Sequence, residues 1–259
     1  MNPATSVSPD RLGQRAKWTV ERHPRLVSTQ TRARECPAWT AIVADEQSAG
    51  RGQADRTFVS DSGGLYLSAV LPYAGDPLKA RGFALAVGWA VRAVLRRAGV
   101  RDARLRWPND LMVGARKIGG ILVEQGQRDT LCVGLGLNLT NRPWRADPAL
   151  ADIAGRLADH CAADALGDRA RLIGRLLRAI RAAHVAFGRK RLEGFVPILN
   201  RCWGEPRRVV LELAPGVGAP AASGFFAGIA ADGCVLLRQA DGTTLAVPEH
   251  HIRRLREVG

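Results

Sequence analysis

Apolar residues recur every third or fourth position between Asp76 and Ala98, with Phe83, Val87, Val91, Val94 and Ala98 on one flank and Arg92 and Arg96 elsewhere. That period predicts an amphipathic helix, and Gly99 supplies its stop. The same spacing through Leu150, Ile153, Leu157 and Cys161, and again through Leu172, Leu176, Ile180 and Phe187, predicts two further helices with arginines facing water. Shorter apolar runs at 38–47, 65–72, 103–107, 120–124 and 131–139 read as strands. From residue 103 onward the connections between them are too short for crossover helices, which implies antiparallel pairing over part of a mixed sheet. Beyond residue 203 the pattern changes. "RRVVLEL", "GFFAGIA", "CVLLRQ" and "TTLAVP" are short strands separated by glycine or Asp-Gly, the pattern of a small all-β appendage with its boundary near Trp203 to Pro206.

The expected class is therefore α+β: a mixed, largely antiparallel sheet with packed helices, followed by a small β domain. The expected organisation is a loose tail over 1–17, a main domain over 18–203 and the appendage over 204–259. A chain of 259 residues, 46% hydrophobic and 24% charged, can bury a sizeable core and has the composition of a folded protein. Five widely spaced cysteines without a CxxC pair argue against a disulfide framework or a sequence-local zinc site and fit a reducing compartment. The polar start lacks a signal-peptide core and no later apolar run reaches about 18 residues, so cytoplasm is the expected location and no membrane partner is expected. The net charge of +14 is nearly all arginine, spread through every segment; a solvated basic surface and a face that attracts acidic or phosphate-bearing partners both fit it.

Three segments can carry chemistry. "GRGQADR" holds Gly50, Arg51, Gly52 and Arg56: glycines let backbone amides approach an anion and arginine supplies a rigid donor fork, although a plain surface loop has the same composition. It lacks the closing GK[ST] of a phosphate-binding P-loop. "VGLGLNL" lacks the third glycine of a dinucleotide fingerprint. Its Gly134 and Gly136 fit either a ligand lying against a strand or a close strand crossing, with Asn138 offering an amide to a heterocycle edge. In "RWPNDLMVGARKIGGILVEQ", Pro108 favours extended backbone, Asn109 and Asp110 begin a turn, and Lys117 falls at a sheet edge beside Gly119 and Gly120; an exposed hairpin lysine is the plainer reading.

Taken together, in order and spacing, "STQ", "GRGQADRTF", "RWPNDLMVGARKIGGIL" and "GLGLN" resemble the biotin protein ligase family, biotin-[acetyl-CoA-carboxylase] ligases, from about residue 20 to the C-terminus. The resemblance implies a catalytic domain related to class II aminoacyl-tRNA synthetases and lipoate ligases, with an SH3-like C-terminal domain. It also implies an enzyme that forms biotinyl-5'-AMP from biotin and magnesium-ATP and passes biotin to one lysine of a biotin carboxyl carrier protein. Lys117 matches the lysine that meets biotin's carboxylate and the α-phosphate, and Asp110 an acid that positions or deprotonates the incoming amine. Arg51 is the third residue matched to catalysis. Ser28, Thr29, Gln47, Gly50, Arg51, Gly52, Lys117 and Gly120 match biotin-binding positions; Arg56, Phe58, Asn109, Lys117 and Asn138 match ATP-binding ones. No protein-borne metal site is implied; the ion arrives with ATP.

The sequence departs from the family pattern in several places. Arg106 stands for the usual lysine, Gln30 for asparagine and Phe58 for tryptophan, while Gln53, Ala54 and Asp55 replace an arginine-bearing stretch tied to retention of the adenylate. No helix-turn-helix segment fits before the first strand, so the ligase-only group is the expected kin, as monomer or homodimer and without specific DNA. A lipoate or octanoate ligase is the enzymatic alternative, and a basic nucleic-acid-binding protein with an SH3-like module the non-enzymatic one.

Overall fold

The computed structural model describes residues 16–53, 56–76, 80–127, 129–162, 166, 168–203, 207–218 and 221–258. The tail expected over 1–17 lies almost wholly outside them, as do Ala54, Asp55 and residues 204–206 at the expected boundary.

A seven-stranded sheet forms the larger layer. Its strands are β1 (Thr19–Leu26), β2 (Thr40–Gln47), β3 (Leu65–Pro72), β4 (Arg104–Arg106), β5 (Asp110–Val113), β6 (Arg116–Gln125) and β7 (Thr130–Leu137). Their spatial order is β1-β2-β3-β7-β6-β5-β4; β1 and β2 pair in parallel and every other neighbour is antiparallel. The short connections between β4 and β7 dictate this, because hairpins join only antiparallel neighbours.

Two helices, α2 (Phe83–Arg97) and α3 (Arg169–Lys190), cover one face; a short α1 (Thr29–Ala33) lies against β2 and β3. Buried Val87, Val91, Leu95, Leu172, Leu176, Ile180 and Phe187 pack on Leu67, Leu105, Ile121 and Val133 of the sheet in one continuous core. Burial of such side chains stabilises by roughly 1.5–3 kcal/mol each. Gly88 lets α2 approach closely, since a Cβ there would stand 2.5 Å from Leu105 Cδ1.

A second antiparallel sheet, ordered β11-β10-β9-β8-β12, comprises β8 (Arg207–Leu213), β9 (Ala221–Ile229), β10 (Val235–Arg238), β11 (Thr244–Val247) and β12 (Ile252–Glu257). The helix α4 (Val196–Trp203) leads into it, and Trp203 Nε1 donates to Leu105 O on β4 at 2.8 Å.

Several elements differ from expectation. Residues 150–161 form no α-helix but 3-10 turns, with Ala154 pairing against Lys117 instead. Backbone groups of 153–155 bond to Lys117 and those of 157–158 to Asn138 and Leu139, and Ile153 is half exposed. The first helix starts at Phe83, not near Asp76, because Gly82 at φ +77 interrupts the chain just before it. Strands β1, β5 and β12 and the short α1 and α4 carry too little periodic signal to be read in advance. Not all arginines of α3 face water: Arg181 stacks over Trp39, 4.4 Å from the ring centroid, and over Trp18 at 5.4 Å. All five cysteines are free thiols, with Cys36 and Cys132 buried. No helix among the described residues is long and apolar enough to cross a membrane.

Replacing Gly88 with valine is expected to destabilise the protein by about 1–3 kcal/mol through overpacking against Leu105. Denaturant unfolding checks this; an unchanged midpoint would mean that helix and sheet separate freely there.

Candidate active site

The face of the large sheet opposite α2 and α3 floors a cleft of about 760 Å³. Glycines make the floor. On β7, a Cβ at Gly136 would lie 2.7 Å from the Phe58 ring and one at Gly134 2.8 Å from Gln30 Oε1; both side chains rest where larger residues would exclude them.

Lys117 sits at the centre, and its position corrects the sequence reading. The turn precedes Asp110: Trp107–Asn109 form the tip, with a cis Trp107–Pro108 bond, and Asp110 already begins β5 opposite Arg106. Lys117 is not at a sheet edge. It lies inside β6, where a register shift between Leu111 and Met112 turns part of its backbone away from β5. Segment 153–155 takes up those groups: Lys117 N donates to Ile153 O at 2.7 Å and Gly155 N to Lys117 O at 2.9 Å.

The lysine side chain meets Asp110 Oδ1 at 2.5 Å, while Arg106 Nη2 donates to Asp110 Oδ2 at 2.6 Å. Gly120 leaves room for this contact, because a Cβ there would stand 3.3 Å from Lys117 Nζ. Burial, the largest single influence, pushes the Asp110 carboxyl up. Lys117 and Arg106 together outweigh it through charge and hydrogen bonds, and hold the group below the usual carboxylate value of 3.8. Lys117 Nζ also lies 5.9 Å from the Phe58 ring centroid.

One end of the cleft is polar but uncharged. Ser28 caps α1 through Gln30 N, and Thr29 N and Oγ1 both donate to Gln47 Oε1 at 2.8 and 3.0 Å. Gln47 Nε2 donates to Ser60 Oγ, which leaves one amide hydrogen on that nitrogen. Gln30 uses its extra methylene to reach across to Cys132 O on β7 at 3.1 Å.

The loop after β2 folds as a narrow ribbon over this end. Phe58 N donates to Gly50 O, Gly52 N to Arg56 O, and Arg51 Nη2 reaches Glu124 on β6 at 2.8 Å. Glu124 was not anticipated from sequence. Arg56 is exposed, with its Nε on Gln53 O.

Of the residues singled out by sequence, Ser28, Thr29, Gln47, Arg51, Gly52, Arg56, Phe58, Asn109, Asp110, Lys117, Gly120 and Asn138 all line the cleft. Gly50 stands behind the ribbon, where a Cβ would collide with Phe58 O at 2.2 Å. Two asparagines are engaged by the protein itself. Asn109 Nδ2 donates to Ile121 O; Asn138 Nδ2 donates to Gly155 O and its Oδ1 accepts from Asn141, which leaves each amide only part of its capacity for a ligand. The opposite wall, unforeseen, is basic: β12 of the small sheet brings Arg253, Arg254 and Arg256 to the same cleft.

The profile of the Biotin/lipoate A/B protein ligase family matches residues 12–138. The bifunctional ligase/repressor BirA of Escherichia coli is 31% identical over 237 residues, covering 88% of this chain and 72% of that protein. The chain belongs to this ligase family. The biotin--[acetyl-CoA-carboxylase] ligase of Mycobacterium tuberculosis is 34% identical over 146 residues, which is 54% of this chain and 52% of that one. Among solved structures, biotin protein ligase from Aquifex aeolicus in complex with biotin and ATP superposes with a TM-score of 0.76 at 26% identity, covering 92% of this chain and 99% of that chain. Among the described residues no group of three or more His, Cys, Asp or Glu is placed to hold a metal, and both Asp110 oxygens already face cations.

A group with a depressed folded pKa contributes stability that is full above its unfolded value and is lost as pH falls through the folded one. The stability difference between wild type and Asp110→Asn should therefore stay flat from about pH 8 to about pH 5 and shrink only below the ordinary carboxylate value. Unfolding curves across that range test it. A gap that changes near neutrality would show that Asp110 titrates there.

Proposed function

We propose that this protein is an ATP-dependent biotin protein ligase, which forms biotinyl-5'-AMP from biotin and ATP and transfers biotin to a lysine of a biotin carboxyl carrier protein. The family membership and the likeness to a relative solved with biotin and ATP support the reaction class. One observation carries the assignment of roles. A single ammonium, that of Lys117, is aimed by Asp110 into a cleft with an uncharged polar pocket at one end and a basic wall at the other.

The polar end suits a neutral bicyclic urea, with Thr29 and Gln47 forming a fixed set of donors and acceptors and Ser28 capping the helix beneath. Biotin's carboxylate and the α-phosphate of ATP repel each other. Lys117 lies where both would converge and would neutralise the charge that gathers as the carboxylate oxygen bonds to phosphorus and pyrophosphate departs. The mixed anhydride then offers an acyl carbon with AMP as leaving group, which the deprotonated carrier lysine attacks. Asp110 acts by orientation in this reading: both its oxygens engage cations, and its low pKa makes it a weak proton acceptor. Arg51 and Arg56 of the ribbon hold anionic groups, Gly50 and Gly52 let it fold down, and Gly120 makes room for the ammonium. Phe58 packs against the bound ligands over Gly136; Asn109 and Asn138 shape the nucleotide end. The magnesium ion enters as part of the ATP complex.

The basic surface implied by the +14 charge would draw an acidic carrier domain. We place the enzyme in the cytoplasm, without specific DNA, as monomer or homodimer.

Mass analysis of a purified carrier domain after incubation with the protein, biotin, ATP and magnesium is expected to show one added biotin, and none when any component is omitted. Lipoate in place of biotin should give no adduct; an adduct with lipoate alone would transfer the assignment to the lipoate branch. Lys117→Ala should cut biotin-dependent pyrophosphate release by roughly a hundredfold, the loss of about 3 kcal/mol of transition-state stabilisation. Near-normal release by that variant would refute the role given to the ammonium. Asp110→Asn should slow transfer from preformed adenylate in a single turnover; an unchanged rate would remove Asp110 from that step.

A further inference from the structure

The small sheet contributes the basic wall of the cleft, so something must fix its placement relative to the hairpin that carries Asp110 and Lys117. We infer that Arg104 is the positioning residue that does this, through Glu257. The inference rests on the reading of the protein as an ATP-using biotin ligase.

Four hydrogen bonds converge on the Arg104 guanidinium. Nη1 donates to Glu257 Oε1 at 2.8 Å and Nη2 to Glu257 Oε2 at 2.7 Å, a two-pronged contact with the last residue of β12. Nε and Nη2 also donate to Gly114 O at 3.1 and 2.8 Å. Gly114, at φ +55, forms the turn between β5 and β6, three residues before Lys117. One planar group thus touches both the hairpin holding the reactive ammonium and the strand holding Arg253, Arg254 and Arg256. The side chains are 16% and 22% exposed, so water competes weakly for the pair.

Apolar packing alone does not set this seam. A cavity of about 90 Å³ remains between the two sheets, bordered by Trp107, Trp203, Phe226 and Leu255 beside the Arg104–Glu257 pair. A seam whose apolar contacts are interrupted by a cavity and by charged side chains tolerates tilt, whereas a bidentate fork fixes both distance and direction. The chemical consequence is selective. Loosening Glu257 lets β12 move its arginines relative to the nucleotide end, while Ser28, Thr29 and Gln47, carried by α1 and β2, keep their places.

The test uses the full-length protein and two mild variants, Arg104→Lys, which keeps the charge but loses the fork, and Glu257→Gln, which keeps an acceptor. Calorimetry measures binding of biotin alone and, separately, of the magnesium complex of a non-hydrolysable ATP analogue; pyrophosphate release gives both KM values. The expected result is weakening of the nucleotide, and a rise in KM for ATP, by about fivefold or more, with biotin binding within about twofold of wild type. Unchanged nucleotide binding in both variants, or an equal loss of biotin binding, would overturn the proposal. Nucleotide binding decides it even if wild type releases no pyrophosphate, an outcome that would sink the ligase reading instead.

Discussion

Asp110 stands between Arg106 and Lys117 with one oxygen facing each cation, and that arrangement sets where the ammonium points and keeps two like charges from repelling each other across a narrow hairpin. Asp110 is only 13% exposed, so its contacts replace hydration that the fold has removed. Removing Asp110 would leave the partly buried Arg106 and Lys117 without a counter-charge. The surrounding backbone reflects this constraint: a shifted register in β5, a glycine beside the ammonium and a paired segment behind it all hold the lysine in one place.

The sheet organises the remaining chemistry by its two faces. One is apolar and covered by α2 and α3, which gives rigidity; the other is floored by glycines and left open for ligand. Polar side chains at the α1 end satisfy one another, so that end keeps its shape without charge. Positive groups come from the opposite side, on a strand that belongs to the smaller sheet. A cleft graded from neutral to cationic suits two substrates of unequal charge that must react end to end.

Much of this was legible in the sequence, and the reasons differ by element. The mixed, mainly antiparallel sheet followed from short connections, and the long helix through Leu172 and Phe187 from a sustained period of 3.6. The same period misled over 150–161, where backbone groups bond to Lys117, Asn138 and Leu139 instead of winding into a helix. Nearly all the residues singled out by the motifs line the cleft, because each lies within a short run whose spacing is fixed by one turn or one strand. Glu124 and Arg104 escaped notice, since their side-chain partners lie more than 70 residues away, and the arginines of β12 did so because a single arginine among many carries no local mark. Gln30 stands where the family pattern has asparagine, and its added length is matched by Gly134 across the sheet.

The backbone of Lys117 is bracketed by Ile153 O and Gly155 N, residues of the connector between β7 and α3. Length changes in that connector are therefore not equivalent. An inserted residue at an exposed position such as Ala146 can bulge outward into water, but one between Ile153 and Gly155 would leave the amide or the carbonyl of Lys117 without its mate and swing the ammonium off its axis. Three consecutive positions in an irregular stretch thus govern the aim of a charge more than thirty residues upstream.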